Sequence, residues 1–492
     1  MNLMKNTIKL LAFFLCSFFI TNVSAQKATI TFRTDKDVSV RIYKPIDGAS
    51  NLFFISDKLD LKPNISINYE VDISDFGIVG CNFSNGMRYN MLLQPGDHLD
   101  VNFTNKNVFF NGDNAEGQTY LNNKKIVNIC FNQLGLIFKK NITNRIDFEG
   151  IKKDTKRELI QPFYDDLDSL EKEMKITHKF KTLLAKDIQY ASSLFLYTSY
   201  GKLLRKGFNN FKPSTFDSTR IYEEMDALYN DTSMLNVNTM KFYYGYPPDN
   251  YFLLKYKKLD DSAKEKLLRN YDKDTFGNYP SYLLAPDYMQ KILFGSTFVD
   301  QLQNMSNYFN QDLMLKYLTD KFPESEYIPI IKRLKDEQKK EKETNLKPVI
   351  IDGNTINSLK ELVQTNELKG KYVFVDLWAT FCIPCKYEFQ FNDDLHKLLS
   401  KYSNLVQIYI STDDIEKDSI WKEMIVHYKL NSYNMRASES LQKEIRDKVY
   451  NGNLLSIPRY LLLDANATIL NDNLPRPSKI GLLEEALNKV IK

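Results

Sequence analysis

Histidine is scarce in this chain. Four occur in 492 residues, His98, His178, His396 and His427, and they are scattered. An imidazole-rich metal centre has little to be built from, and no Ser/His/Asp pattern is visible. No Gly-rich phosphate loop or dinucleotide fingerprint occurs either. Charge of one sign does not dominate: 66 Lys and Arg stand against 62 Asp and Glu, mixed along the sequence. A net charge of +4 offers no basic surface for nucleic acid. No repeat of fixed period is present. Past residue 25 no apolar run reaches the length of a membrane span. Cysteine is rare, with five in the chain, and two of the five stand three positions apart.

Aromatic residues, by contrast, are plentiful, at 30 Tyr and 32 Phe. A chain this long exceeds one ordinary core, so two or three domains are expected. The first 25 residues read as a secretory signal. Lys5 and Lys9 precede an apolar core, Leu10 to Ile20, that is too short for a membrane helix. Val23-Ser24-Ala25 offers a small-residue cleavage site before Gln26. A lipoprotein anchored at Cys16 is the rival reading, and Leu15 is too large for the usual residue there. The mature protein is expected outside the cytoplasm, in the periplasm or an equivalent compartment where disulfides persist.

Residues 27–112 read as a small β-sandwich. Ala28-Thr29-Ile30-Thr31-Phe32 and Val38-Ser39-Val40-Arg41-Ile42-Tyr43 alternate apolar and polar side chains. Asn51 to Ile55, Ser66 to Val71 and Leu99 to Phe103 continue the pattern, and Pro95-Gly96-Asp97 marks a turn. Residues 115–340 change to helical spacing, as in Leu159, Phe163, Leu167 and Leu170. This predicts an all-helical middle domain. Its Phe242-Tyr243-Tyr244-Gly245-Tyr246 run reads as core plus amphipathic surface rather than a binding groove. A charge-mixed run, Lys332 to Glu343, leads to Leu346-Lys347-Pro348. From 346 to 492 strands and helices alternate, the order of an α/β domain.

In that last domain the apolar run Tyr372-Val373-Phe374-Val375-Asp376-Leu377 leads into Trp378-Ala379-Thr380-Phe381-Cys382-Ile383-Pro384-Cys385-Lys386. A strand that delivers Cys-x-x-Cys to a helix start is the layout of a thiol–disulfide exchange site. Unpaired N–H groups and the helix dipole favour a thiolate there. Half of a zinc site is the competing reading, but there is no second Cys-x-x-Cys and no His pair. No metal and no cofactor beyond the Cys382-Cys385 pair is expected. For Cys81 and Cys130, spacing leaves a structural bridge and two separate buried thiols both open, and favours the latter.

Residues 346–492 resemble the thioredoxin-fold, extracytoplasmic TlpA/ResA-like thiol–disulfide oxidoreductases. The resemblance rests on the Val375-to-Lys386 stretch, on Ser456-Ile457-Pro458-Arg459-Tyr460-Leu461-Leu462-Leu463-Asp464, and on Glu388 three residues past Cys385. The β-rich first domain with its Leu93-Gln94-Pro95-Gly96-Asp97 turn is similar to one attached to many such proteins. Phe381, Ile383 and Gln390 depart from the usual residues. The resemblance implies that Pro458 is cis and packs on the redox pair, that Asp376 exchanges a proton with Cys385, and that Glu388 is an active-site carboxylate.

Chemistry at these positions assigns roles. Cys382, nearer the helix start and expected to be exposed, is the nucleophile, and Cys385 resolves the mixed disulfide. Trp378, Ile383, Pro384, Ile457 and Pro458 are the expected substrate contacts. Ile383 and Pro384 offer the thiolate no hydrogen bond, which argues for a reducing pair. The implied partners are disulfide-bearing proteins and a membrane thiol reductant, with no nucleic acid; oligomeric state stays open. Two alternatives remain: a thioredoxin-fold peroxidase, and an envelope ligand-binding protein with a redox-sensing domain.

Overall fold

The structure, a computed structural model, describes residues 27–48, 55–73, 76–104, 107–123, 126–142, 145–206, 218–230, 247–272, 274–343 and 349–491. The expected signal segment, most of the Asn51 to Ile55 strand, the Phe242 to Tyr246 run and the Leu346 to Pro348 junction lie outside the described residues.

Eight strands come first: β1 (Lys27–Thr34), β2 (Val38–Tyr43), β3 (Asp57–Leu61), β4 (Ile67–Asp72), β5 (Gly77–Phe83), β6 (Arg88–Leu93), β7 (His98–Phe103) and β8 (Val108–Gly112). They form two four-stranded sheets, ordered β4-β1-β7-β8 and β3-β2-β5-β6. Alternation explains the packing. Ala28, Ile30 and Phe32 from one sheet meet Val38, Val40 and Ile42 from the other in a common core. Phe83 stacks on Phe103 across it at 4.4 Å. The expected turn closes between β6 and β7, with Gly96 at φ 86°, where a side chain would be strained. Strand β3 escapes a hydropathy reading because Lys58 and Asp60 occupy its outer positions.

Helices follow, from Ala115–Asn123 to Tyr327–Glu343, around one large core. Leu159, Phe163 and Leu167 are buried as their spacing predicts. The helix widens to a π-turn over Thr155–Ile160. Pro162 follows at the start of Gln161–Lys172; it has no N–H to give the carbonyl four residues back, so the regular ladder breaks there.

The C-terminal sheet has six strands in the order β14-β13-β10-β11-β12-β9. They are β9 (Val349–Ile350), β10 (Tyr372–Trp378), β11 (Leu405–Ser411), β12 (Tyr433–Arg436), β13 (Arg459–Leu463) and β14 (Ile469–Asn471). β10, β11, β12 and β9 run parallel, while β13 lies antiparallel to β10 and carries the antiparallel edge strand β14. Helices cover both faces, so β10 is apolar nearly throughout and almost fully buried. This is the thioredoxin-like α/β arrangement. The protein thus joins a β-sandwich, a helical middle segment and an α/β domain.

The sandwich docks against the α/β domain. Arg41 of β2 donates to the Gln390 carbonyl at 2.8 Å and lies over the Phe391 ring, 4.6 Å from its centroid. Asp394 pairs with Arg41 and with Lys58 of β3. Asn82 of β5 donates to the Tyr387 hydroxyl at 3.2 Å. Cys81 on the same strand is a free, buried thiol, so the bridge to Cys130 is not formed. Burial pushes its pKa up, which makes it inert.

Candidate active site

Strand β10 ends at Trp378, and the chain turns into helix Ile383–Phe389 with Cys382 as its N-cap. Pro384 suits the first turn, where its missing N–H costs nothing. Cys382 and Cys385 are joined by a disulfide, with their Cα atoms 5.3 Å apart. Contrary to expectation, Cys382 is closed in, at 5% exposure. Its Sγ turns toward the Cys385 N–H, 3.2 Å away, and packs in one cluster with Trp378 and Ile457. The loop therefore does hold a hydrogen-bond donor, which side-chain identity alone did not reveal. The exposed positions beside the pair belong to Phe381 and Ile383, 72% and 56% exposed. Pro384 is exposed as well.

Trp378 is a second correction. It is fully buried, with its ring edge-on to Phe389 at 5.2 Å, and cannot touch a substrate. The reason is that helices cover both faces of β10, so Trp378 is buried like its neighbours of either parity. Phe374, Asp376 and Trp378 share the β10 face that lies under the redox helix. Ile457 is half-buried and Pro458 is buried; the peptide between them is cis.

Asp376 sits in that row, opposite Tyr409 of β11 and Tyr460 of β13. It is 1% exposed, and neither carboxyl oxygen finds a hydrogen-bond partner among the described residues. Burial, assisted by the charge of Glu388, holds its pKa well above the carboxylate range. Glu388 is also buried, rather than facing solvent. Its carboxylate accepts from the Ser478 N–H at 2.9 Å and the Ser478 hydroxyl at 3.0 Å, with Arg476 3.8 Å away. Burial raises its pKa in spite of these contacts. Both carboxyls thus hold a proton to higher pH than a solvated carboxylate does.

Sequence reasoning missed several residues around the pair. Asp413, buried after β11, accepts from the Thr380 N–H at 2.8 Å, from its hydroxyl at 2.7 Å and from the Ser411 hydroxyl at 2.6 Å. It fastens the turn that carries Cys382. Lys386 is buried, and its ammonium donates to the Asn304 carbonyl at 2.9 Å. The run Ser411-Thr412-Asp413-Asp414 after a strand was the available signal for the first. Nothing local pointed to the second. Among the described residues, no group of three His, Cys, Asp or Glu could hold a metal ion, and no helix is long and apolar enough to cross a membrane.

Residues 326–488 match the Redoxin family. The match covers about a third of the chain, and over it the chain is similar to redoxins. The fold of this part is thioredoxin-like, and at the level of the family it is an oxidoreductase domain. The match begins just before the last helix of the middle segment, ahead of β9.

Solved structures similar to this chain include a candidate thiol-disulfide oxidoreductase from Bacteroides vulgatus, at 29% identity. That likeness covers 25% of this chain and 75% of that one, with a TM-score of 0.20. The thioredoxin domain of another thiol-disulfide oxidoreductase from Bacteroides vulgatus is 23% identical, covering 26% of this chain and 84% of that one, TM-score 0.21. A thiol-disulfide oxidoreductase from Bacteroides fragilis is 24% identical, covering 25% of this chain and 88% of that one, TM-score 0.21.

Proposed function

We propose that the protein is an extracytoplasmic thiol–disulfide oxidoreductase that reduces disulfides in other proteins. The observation that carries this reading is the Cys382-Cys385 pair at the start of a helix, above two buried carboxyls. The Cys382 thiolate attacks one sulfur of a substrate disulfide, a mixed disulfide forms, and the first substrate thiolate leaves. Cys385 gives its proton to Asp376 and attacks Cys382 Sγ. The intramolecular disulfide closes, the second substrate thiolate departs, and two electrons have passed to the substrate. A membrane thiol reductant is the proposed donor that restores the dithiol. Phe381, Ile383, Pro384 and the backbone at Ile457 form the proposed contact surface for the incoming polypeptide. The Thr380 hydroxyl is turned into Asp413, which leaves it poorly placed to assist a peroxide at Cys382.

The full-length reduced protein is expected to reduce the interchain disulfides of insulin, followed by precipitation of the freed B chain. No acceleration over the reductant alone would overturn the reading. The pair is also expected to be reducing, nearer thioredoxin at about −270 mV than the strong periplasmic oxidants at about −120 mV. Inside the loop Cys382 Sγ meets one backbone N–H and no charged side chain, and an ionised Glu388 disfavours a thiolate. Equilibration in glutathione buffers, read by alkylation and mass, checks this. A pair still reduced in a buffer poised at the oxidant value would recast the protein as a disulfide donor.

A further inference from the structure

One buried charge on the redox helix takes no part in the exchange steps. Lys386 lies four residues after Cys382 on the same helix face, and its N–H bonds to the Cys382 carbonyl at 3.2 Å. Its side chain is only 6% exposed. A buried ammonium is costly without partners. The partner here comes from the middle segment: Asn304, whose carbonyl accepts at 2.9 Å, is the last residue of helix Asp287–Asn304. Two more groups of the α/β domain close on the carbonyl before it. The Tyr428 hydroxyl donates to Gln303 at 2.8 Å, and His427 Nε2 lies 3.1 Å from the same oxygen. A helix C-terminus carries partial negative charge and favours a cation.

The carboxylates that act on the ammonium are Asp300, on that same helix, and Asp413, which holds Thr380. Burial alone pulls the lysine pKa down, and these two oppose it. An ionised Glu388, itself 3.8 Å from Arg476, disfavours a thiolate, and the buried Asp376 does so only once it loses its proton.

We propose that Lys386 is a positioning residue through which the helical segment sets the reactivity of the redox pair: the end of helix Asp287–Asn304 fixes a positive charge on the redox helix, and that charge favours the Cys382 thiolate. The proposal rests on the reading of Cys382 and Cys385 as an exchange pair. The oxidised pair is neutral, so the charge acts on the reduced form alone.

The test uses the reduced full-length protein and the rate of Cys382 alkylation by iodoacetamide across pH. Lys386→Met fits an apolar site without leaving a charge to bury. It is expected to slow alkylation at neutral pH about tenfold and to move the rate profile to higher pH. Lys386→Arg keeps the charge and is expected to stay within about twofold of the parent. Amide hydrogen exchange over residues 301–308 should quicken in Lys386→Met and not in Lys386→Arg. A Lys386→Met profile superimposed on the parent's would overturn the tuning, and unchanged exchange would overturn the link to the helical segment. Alkylation needs no disulfide substrate. A failed insulin assay therefore counts against the proposed function, and a flat alkylation series against this inference.

Discussion

Cys382→Ser is expected to abolish disulfide reduction, a loss of about a thousandfold or more, because it removes the attacking sulfur. Cys385→Ser is expected to lose turnover just as fully but to accumulate mixed disulfides at Cys382. The asymmetry follows from the geometry. Cys382 is the N-cap, flanked by the exposed Phe381 and Ile383, while Cys385 is wholly buried one turn inward. A partner disulfide can reach the first sulfur and not the second. Non-reducing gels and mass spectrometry of the two variants, incubated with an oxidised protein substrate, read the difference. Trapping through Cys385 in Cys382→Ser, or equal alkylation of both thiols in the parent, would reverse the assignment. The 5% exposure of Cys382 adds a condition: the partner must approach over Phe381 and Ile383.

Asp376→Asn is expected to stabilise the protein while slowing it. The carboxyl is buried without a hydrogen-bond partner among the described residues, so the folded chain holds its proton to higher pH than the unfolded chain does. The sign follows directly. The folded pKa is raised, so the native state loses stability as pH rises from the ordinary carboxylate range through the raised value. Below that range both forms of the chain are protonated and the substitution changes little. At about pH 8 the variant is expected to gain on the order of 2 kcal/mol, read as a higher urea midpoint of the oxidised protein. The same change removes the base proposed to take the Cys385 proton. Resolution of a mixed disulfide is expected to slow about ten- to a hundredfold. A parallel pH dependence of stability in parent and variant would show that Asp376 is not the buried acid described here.

The exchange site was largely legible in the sequence because its chemistry needs local spacing. Two cysteines three apart, after an apolar strand and at a helix start, define the pair without knowledge of anything distant. The β-sandwich was legible for a similar reason: period-two alternation in Ala28 to Phe32 and Val38 to Tyr43 reports which side chains face inward. Strand β3 was not, because charged residues on its outer face mask the pattern. Trp378 was misjudged because both faces of β10 are covered, so nearness in sequence to the cysteines does not bring it to the surface.

The sequence by itself determined the redox pair, the buried Asp376 before it and the succession of β-rich, helical and α/β segments. Each depends on hydropathy period or on residues a few positions apart. Tertiary structure alone decided that Cys382 is closed in and that Glu388 is held by Ser478, 90 positions away. It also decided that Lys386 is tied to Asn304, 82 positions away in another domain. Periodicity records that a side chain is buried. Which polar group meets it there depends on how separate elements dock, and the charge state of a buried carboxyl or ammonium follows from that meeting.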